Sequence, residues 1–273
     1  MIDRAADFGI RAAGLGIIVI VALIFVFIGI ETLPLFRGAK ERLVFEQPLA
    51  GVPPAAQVLA LGVDEYESNL YYVDASRGAV RFVNVVTREQ AGDFPLKALA
   101  GTTATSAYRT PSRDKIVIGT ADGHLVIAEA KFAIAYASDA TRTVRPFVNQ
   151  LAVIAVAPDG AAIVRVHARQ NSAGDYFYAA ATADGRVFTG KFVEDEPREE
   201  PQAVGGQFAG KITALILDYE GNKLFVATDA RKLYHYYLGE SRDAPFHVYD
   251  FPANITALDF IIGDVSLLLG FEN

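Results

Sequence analysis

A repeat of 43 residues near the C-terminus constrains the fold more than any other feature of this sequence. Residues 212–215, Ile-Thr-Ala-Leu, recur as residues 255–258, and the same offset superimposes residues 224–227 on residues 267–270. Each run has the length and the apolar composition of a buried strand. The repeating unit therefore contains at least two strands at a fixed separation.

Three weaker copies of the pattern precede this repeat. One joins residues 60–61 to residues 70–73, and we align it with one extra residue before its second strand. The other two copies show only a strand followed by an Asp-Gly turn, at residues 116–123 and 178–185. The sequence thus predicts five related hairpins.

The predicted turns fall near Gly78, Gly123, Gly185 and Ala230, at spacings of 45, 62 and 45 residues. We interpret the wide gap as an insertion within the third unit. Asp-Gly favours a type I′ hairpin turn, in which both central residues need positive φ. A period of about 40 to 45 residues with this texture is typical of a four-stranded propeller blade, which must stack on its neighbours to cover its apolar faces.

We therefore expect an all-β fold, a WD40-like β-propeller of about five blades. The chain has no tryptophan, so "WD40-like" describes the architecture and not the Trp-Asp signature. Under the 43-residue offset Glu272 and Asn273 fall on a hairpin turn, which predicts an incomplete propeller, truncated in its last blade, at the front of a longer product. The alternative is a terminal strand that closes the ring by pairing with an early strand.

An uncharged apolar segment lies between Arg11 and Glu31, and residues 33–36 extend it. Its length matches a hydrocarbon core of about 30 Å, so we predict a transmembrane helix over residues 12–36. A cleaved signal peptide is less favoured, because no small-x-small cleavage pattern follows closely. Basic residues flank both ends, so charge alone does not orient the helix. The membrane-spanning residues that we single out are Ala12, Leu15, Ile20, Phe25, Ile30 and Phe36.

The remaining boundaries follow from composition. Residues 1–11 form an N-terminal tail, residues 37–57 a proline-containing linker, and residues 58–273 the propeller domain. The net charge of -7 and the pI near 5.2 argue against a nucleic-acid partner.

No motif in the sequence predicts catalysis, a metal site or a cofactor. The chain lacks cysteine, and its histidines at 124, 167, 235 and 247 have no metal-ligand spacing. Residues 205–211 match Gly-x-x-x-x-Gly-Lys, but Ile212 replaces the magnesium ligand and begins a predicted strand. The acidic residues of 194–200 indicate a solvated loop rather than a calcium site. The tyrosines at 234, 236 and 237 indicate strand packing.

The order of segments resembles the N-terminal part of the long bacterial phosphate ABC-transporter permease subunits, in which a WD40-like domain follows the first membrane helix. Residues 31–36, Glu-Thr-Leu-Pro-Leu-Phe, and residues 255–270 carry the likeness. This chain does not include the later permease helices of that family.

The resemblance implies the bacterial inner membrane, a single pass in this segment and a periplasmic propeller. It implies a non-catalytic part of a phosphate-type importer, acting in interaction or regulation. It implies other transporter subunits and a solute-binding protein as partners. The apolar helix adds the lipid bilayer, and the sequence identifies no cofactor and no small-molecule substrate. A stand-alone, membrane-tethered scaffold for envelope protein assembly is the alternative, whereas a quinone-dependent dehydrogenase is disfavoured by the absence of tryptophan docking motifs.

Overall fold

The computed structural model describes residues 2–33, 58–65, 67–111, 115–136, 142–194, 199–261 and 263–272, with side chains described from residue 13 onward. Its contacts divide the chain into two units, residues 1–47 and 48–273. The predicted linker, residues 37–57, lies outside the described residues.

The first unit contains the helix α1, Ile2–Thr32. Helical backbone therefore begins ten residues before the predicted span, within the segment interpreted as a tail. No proline precedes Pro34, so nothing in the sequence stops the helix from extending back through the alanines around Arg4 and Arg11.

The second unit is built from strands, as the repeat predicts. The strands are β1 Val58–Val63, β2 Asn69–Asp74, β3 Ala79–Asn84, β4 Gln90–Pro95, β5 Ala104–Arg109, β6 Lys115–Thr120, β7 His124–Tyr136, β8 Arg142–Ala155, β9 Ile163–Gln170, β10 Tyr176–Thr182, β11 Val187–Phe192, β12 Gln202–Val204, β13 Ile212–Leu217, β14 Lys223–Thr228, β15 Lys232–Tyr237, β16 His247–Asp250, β17 Ile255–Phe260 and β18 Leu267–Phe271.

These strands form four antiparallel sheets of four consecutive strands each, sheets 1 to 4, and a fifth sheet made of β17 and β18. The first strands of the sheets, β1, β5, β9, β13 and β17, lie beside one another in that order. The predicted all-β fold of four-stranded units is thus confirmed, and the described part of the fifth unit has two strands.

The core consists of apolar layers between successive sheets, and each inner sheet is covered on both faces. On β6, Ile116 and Ile118 pack toward sheet 1, whereas Val117 packs toward sheet 3. All six residues of β6 are buried. This double coverage explains why the strands read as continuous apolar runs instead of an alternating pattern.

The insertion that widens the spacing between Gly123 and Gly185 lies in sheet 2. Our prediction that it lies in the third repeat unit was wrong. The hairpin of β7 and β8 occupies residues 124–155, whereas the equivalent hairpin of sheet 1 occupies residues 79–95. The turn spacing alone locates extra residues only between Gly123 and Gly185, and two long paired strands keep the β-rich texture of the sequence.

The predicted type I′ turn was also wrong. Gly123 and Gly185 have φ of +83° and +88°, but the aspartates before them do not have positive φ. The Gly185 N–H donates to the Thr182 carbonyl at 3.0 Å, so each turn is a right-handed turn followed by one left-handed glycine. The buried Thr182 hydroxyl fixes this geometry by donating to the Asp184 carboxylate.

The repeat copy at residues 60–73, which forms β1 and β2, aligns with β13 and β14 without the extra residue that we predicted. The N–H of Asp64 donates to the Asn69 carbonyl, as that of Asp218 does to the Lys223 carbonyl, so Asn69 is equivalent to Lys223. The alignment with one extra residue matched Asn69 to Asn222 by residue type, which the backbone does not follow.

A threonine joins the first strand of one sheet to the first strand of the next. β-bulges at the same position leave Thr105, Thr213 and Thr256 as the extra residue in β5, β13 and β17. The Thr213 hydroxyl donates to the Ile255 carbonyl at 3.0 Å, and that of Thr105 donates to the Ile163 carbonyl at 2.5 Å. We call these contacts the threonine links.

Candidate interaction site

The helix α1 exposes those predicted membrane-spanning residues whose side chains the structure describes. Leu15, Ile20, Phe25 and Ile30 are 66, 59, 70 and 64% exposed. The window Ala13–Thr32 has a mean hydropathy of 3.1, and none of it is buried. Ala12 belongs to α1 without a described side chain, and Phe36 lies outside the described residues. This length and composition fit a membrane span and also the apolar core of an export signal.

The β unit has a distinct end where its first strands finish, which we call the mouth end. The turns that follow there share one cap. The carboxylates of Asp64 and Asp218 accept the backbone N–H groups of the residues four and five positions later, at 2.6 to 2.9 Å. Asn171 caps the same turn in sheet 3 with its amide oxygen. These polar groups, of which Asp64 and Asp218 are buried, are therefore satisfied by their own loops.

The loop of sheet 5 departs from this pattern at Asp264. Its φ is +52°. The residues at the same position in the loops of sheets 3 and 4 are Gly174 and Gly221, which also have positive φ. The Asp264 carboxylate leaves its own loop: it accepts the N–H of Tyr219 at 2.8 Å and pairs with Arg169 at 2.5 Å. A left-handed non-glycine residue is strained, so these two contacts offset a local cost.

The pair between Arg169 and Asp264 joins sheets 3 and 5 across the loop of sheet 4. Its side chains are 15 and 11% exposed, and the guanidinium also lies 5.8 Å from the centre of the Phe260 ring. Arg169 Nε is buried and has no hydrogen-bond partner among the described residues. This buried donor is therefore unsatisfied by the described residues.

Two cavities flank this ion pair at the mouth end. One, of about 480 Å³, is lined from sheet 2 by Tyr108 and Arg109 and from sheet 5 by Asp259. The other, of about 260 Å³, is lined by Gln170 and Tyr219. Both cavities share the ion pair as a wall. We use the name mouth cluster for the polar residues that line these cavities, which are Tyr108, Arg109, Arg169, Gln170, Tyr219, Asp259 and Asp264.

His167 lies beneath the mouth cluster and holds sheet 3 against sheet 4. Its Nδ1 accepts the N–H of Leu217 at 3.2 Å, and its ring centre lies 4.3 Å from that of Tyr108. Burial, helped by the nearby positive charge of Arg169, lowers the pKa of His167 to about 3. The ring is therefore neutral, with its proton on Nε2.

The mouth cluster combines phenol, guanidinium and carboxylate groups. Burial raises the pKa of Tyr108 despite the opposing charge of Arg169, so its hydroxyl stays a neutral donor and acceptor. In the described parts of the chain, no group of three or more His, Asp or Glu residues is placed to hold a metal ion. Arg109 and Tyr108 place further hydrogen-bond donors in the wall of the larger cavity.

The other sequence candidates lie away from this cluster. Residues 205–211 lead into β13 and not into a helix, which agrees with the rejection of a phosphate-binding loop. His235 and His247 are direct cross-strand partners in sheet 4, a proximity that spacing along the sequence did not reveal. Tyr234 and Tyr236 are buried against sheet 3, which confirms strand packing. Of the acidic stretch, residues 195–198 lie outside the described residues.

No protein-family model and no curated protein matches this sequence. Among solved structures the chain is similar to the β-propeller domain of Cps50 (Swd1) from Myceliophteria thermophila, with a TM-score of 0.51 and 12% sequence identity. The match covers 81% of this chain and 64% of that one, so the chain spans slightly less than two thirds of the neighbour. At this identity the likeness concerns the fold alone. The β unit has a β-propeller fold.

Proposed function

We propose that this chain is a membrane-anchored, non-catalytic interaction module, and that it belongs to the permease of a phosphate-type ABC importer. Helix α1 anchors it in a bacterial inner membrane, and the propeller faces the periplasm. The single observation that carries the interaction role is the mouth cluster: polar groups from four sheets converge on two open cavities at one end of the propeller.

The propeller fold supports a scaffold role, because its stacked sheets present a rigid polar end to a partner. The importer assignment is supported by the sequence resemblance of residues 31–36 and 255–270. In this assignment the partners are other transporter subunits and the solute-binding protein.

Site-specific photo-cross-linking in membranes tests both parts. A photoreactive phenylalanine analogue replaces Tyr219, which is 42% exposed at the mouth end, or Arg77, whose side chain is 53% exposed at the opposite end of sheet 1. We expect the Tyr219 probe to capture a transporter subunit or a solute-binding protein, and the Arg77 probe to capture neither.

The outcomes separate the parts of the proposal. Capture of the same proteins by both probes, or by neither, would contradict an interaction site at the mouth end. Specific capture of envelope assembly proteins from Tyr219 would support the stand-alone scaffold and overturn the importer assignment. Carbonate extraction of the chain from membranes would contradict anchoring by α1.

A further inference from the structure

Sheet 5 leaves one long edge open, along β18. The Ser266 carbonyl accepts the N–H of Ile261, and the Glu272 N–H donates to the carbonyl of residue 254, so Ser266 and Glu272 turn their backbone toward β17. Backbone directions alternate along a strand, so every second residue of β18 points its N–H and C=O groups away from β17. These groups have no partner strand in the described part of the chain. They belong to Leu267, Leu269 and Phe271.

In sheets 1 to 4 the equivalent edge is paired with a third strand. β14, the copy of β18 under the 43-residue offset, pairs with β15. Val226 of β14 is the equivalent of Leu269, and it lies directly opposite Tyr234 of β15. β2, β6 and β10 pair with β3, β7 and β11 in the same order. A third strand on β18 would therefore continue a pattern that the molecule already repeats.

The third strand of a sheet also covers the sheet before it. Tyr234 and Tyr236 of β15 belong to the apolar layer between sheets 3 and 4, together with Val187 of sheet 3. Phe188 and Phe192 of β11 belong to the layer between sheets 2 and 3. Each pair lies on one face of its strand, because alternate residues share a face. A third strand in sheet 5 would thus place apolar side chains on sheet 4.

Sheet 4 is only partly covered on its face toward sheet 5. Leu233 of β15 is buried there with Leu267 and Leu269 of β18. Farther out on this face, Phe246 is 64% exposed and Tyr249 of β16 is 39% exposed, since β18 is the outermost described strand of sheet 5. The described strands of sheet 5 therefore leave the outer half of this face open.

Aromatic rings line this open half. The ring centre of Phe246 lies 4.9 Å from that of Tyr237 and 5.6 Å from that of His235, edge to face in both cases. His247 lies directly opposite His235, and its ring centre lies 4.3 Å from that of Tyr249. None of these residues is acidic, so the surface suits apolar or aromatic side chains. We use the name aromatic strip for Tyr237, Phe246, His247 and Tyr249.

A second copy of this chain does not fit the same edge. Two β18 strands that pair antiparallel are related by a twofold axis perpendicular to the sheet, which keeps the same face of both copies on the same side. Sheet 4 extends past β18 by two strands, β15 and β16, and would overlap sheet 4 of the other copy. The edge therefore suits a strand that has no second sheet layer on that face.

We propose that β18 accepts an added strand: an extended segment of a partner protein pairs with this edge and packs on the aromatic strip. The segment has six residues, the length of β14 and β15, with apolar or aromatic side chains at alternate positions. Backbone hydrogen bonds supply its affinity, and the alternate side chains supply its selectivity. No residue of the mouth cluster takes part, so this inference is independent of the proposed function.

A synthetic peptide of residues 231–238 is the probe for this edge. It contains β15, which pairs with β14, the copy of β18. His235 turns its backbone toward β16, because its carbonyl accepts the N–H of Phe246 at 2.8 Å. By alternation, Tyr234 and Tyr236 turn their N–H groups toward β14, and in the bound peptide toward β18.

Two N-methylated forms of this peptide are matched in composition. Methyl groups on Tyr234 and Tyr236 remove the donors toward β18, whereas methyl groups on His235 and Tyr237 leave those donors in place. We expect the unmodified peptide to bind the full chain. The first methylated form should bind about 30-fold more weakly than the second, as expected for two lost backbone hydrogen bonds. Fluorescence anisotropy of the labelled peptides measures this difference.

Hydrogen exchange and one substitution locate the bound peptide. The N–H groups of Leu267, Leu269 and Phe271 should exchange more slowly when the peptide is bound. Phe246→Glu places a charge in the aromatic strip and should weaken binding about tenfold. The control Val86→Glu changes an exposed residue in a loop of sheet 1 and should leave binding unchanged.

Four results would each overturn the proposal. The first is failure of the unmodified peptide to bind, and the second is equal binding of the two methylated forms. The third is unchanged exchange at the outward N–H groups of β18 when the peptide binds. The fourth is slow exchange at those groups before any peptide is added, which would show that the edge is already covered. Each of these results leaves cross-linking at the mouth end unaffected, so the two proposals are tested separately.

Discussion

The replacement His167→Asn should remove much of the acid sensitivity of the propeller. The folded protein holds His167 neutral, with its pKa lowered from 6.5 to about 3 by burial and by Arg169. Asparagine places an oxygen close to the position of Nδ1, so it retains an acceptor for the Leu217 N–H. The variant therefore removes the titration while it keeps the hydrogen bond.

The sign and size follow from linkage. The unfolded chain binds a proton at His167 below about pH 6.5, whereas the folded chain resists protonation until about pH 3. Stability from this residue is therefore fully present above pH 6.5 and declines as the pH falls. Between pH 7 and pH 5 the free energy of unfolding should drop by about 2 kcal/mol through His167 alone.

Urea unfolding followed by tyrosine fluorescence measures this loss. The chain has 12 tyrosines and no tryptophan, and all of the tyrosines follow residue 57, so emission reports the β unit. The loss of stability from pH 7 to pH 5 should be about 2 kcal/mol smaller in His167→Asn than in the unmodified chain. A control variant, His124→Asn, leaves His167 in place and should keep the full loss.

The comparison of two pH values cancels the cost of the substitution itself. It also cancels other titrating groups that both proteins share, including His235, whose pKa is lowered by burial. An equal loss in His167→Asn and in the unmodified chain would show that His167 is not held neutral in the folded protein.

Three further variants test other features by the same urea assay. Arg231→Gly should raise stability by about 0.5 to 1 kcal/mol, because Arg231 has a φ of +60° where three other sheets have glycine; a lower midpoint would contradict a strained turn. Thr213→Val should cost about 1 kcal/mol by leaving the Ile255 carbonyl without its donor, and Thr256→Val, its equivalent in sheet 5, should cost much less; equal costs would refute a threonine link. Asp264→Ala should cost about 2 to 4 kcal/mol because it leaves Arg169 buried without its carboxylate, and a cost near zero would show that the pair is exchanged for water.

The sequence predicted the strands because their signal is local. The 43-residue offset aligned β13 with β17 and β14 with β18, and even the bulge falls at the same place in β13 and β17.

The turn type was missed because Asp-Gly suits two kinds of hairpin. The deciding contact comes from Thr120 or Thr182, the first residue of the repeated Thr-Ala-Asp-Gly, which the Asp-Gly pair alone does not show.

The mouth cluster was not predicted because its contacts join distant parts of the sequence. Arg169 and Asp264 are 95 residues apart, and neither belongs to a motif. One signal was present: the 43-residue offset aligns Asp264 with Gly221, a turn glycine. A charged residue at a position that favours positive φ indicates a site where other contacts offset backbone strain.

The threonine links join neighbouring sheets, whereas the Arg169–Asp264 pair joins sheets that are not neighbours. This difference affects how the propeller unfolds locally. The two threonine links join neighbouring sheets only, sheet 2 to sheet 3 and sheet 4 to sheet 5. The Arg169–Asp264 pair skips a sheet and binds the fifth to the third. Local opening of β17 and β18 must therefore break a contact rooted in β9, which merges three sheets into one cooperative unit for hydrogen exchange. A partner that engages Arg169 at the mouth end would reach this unit directly.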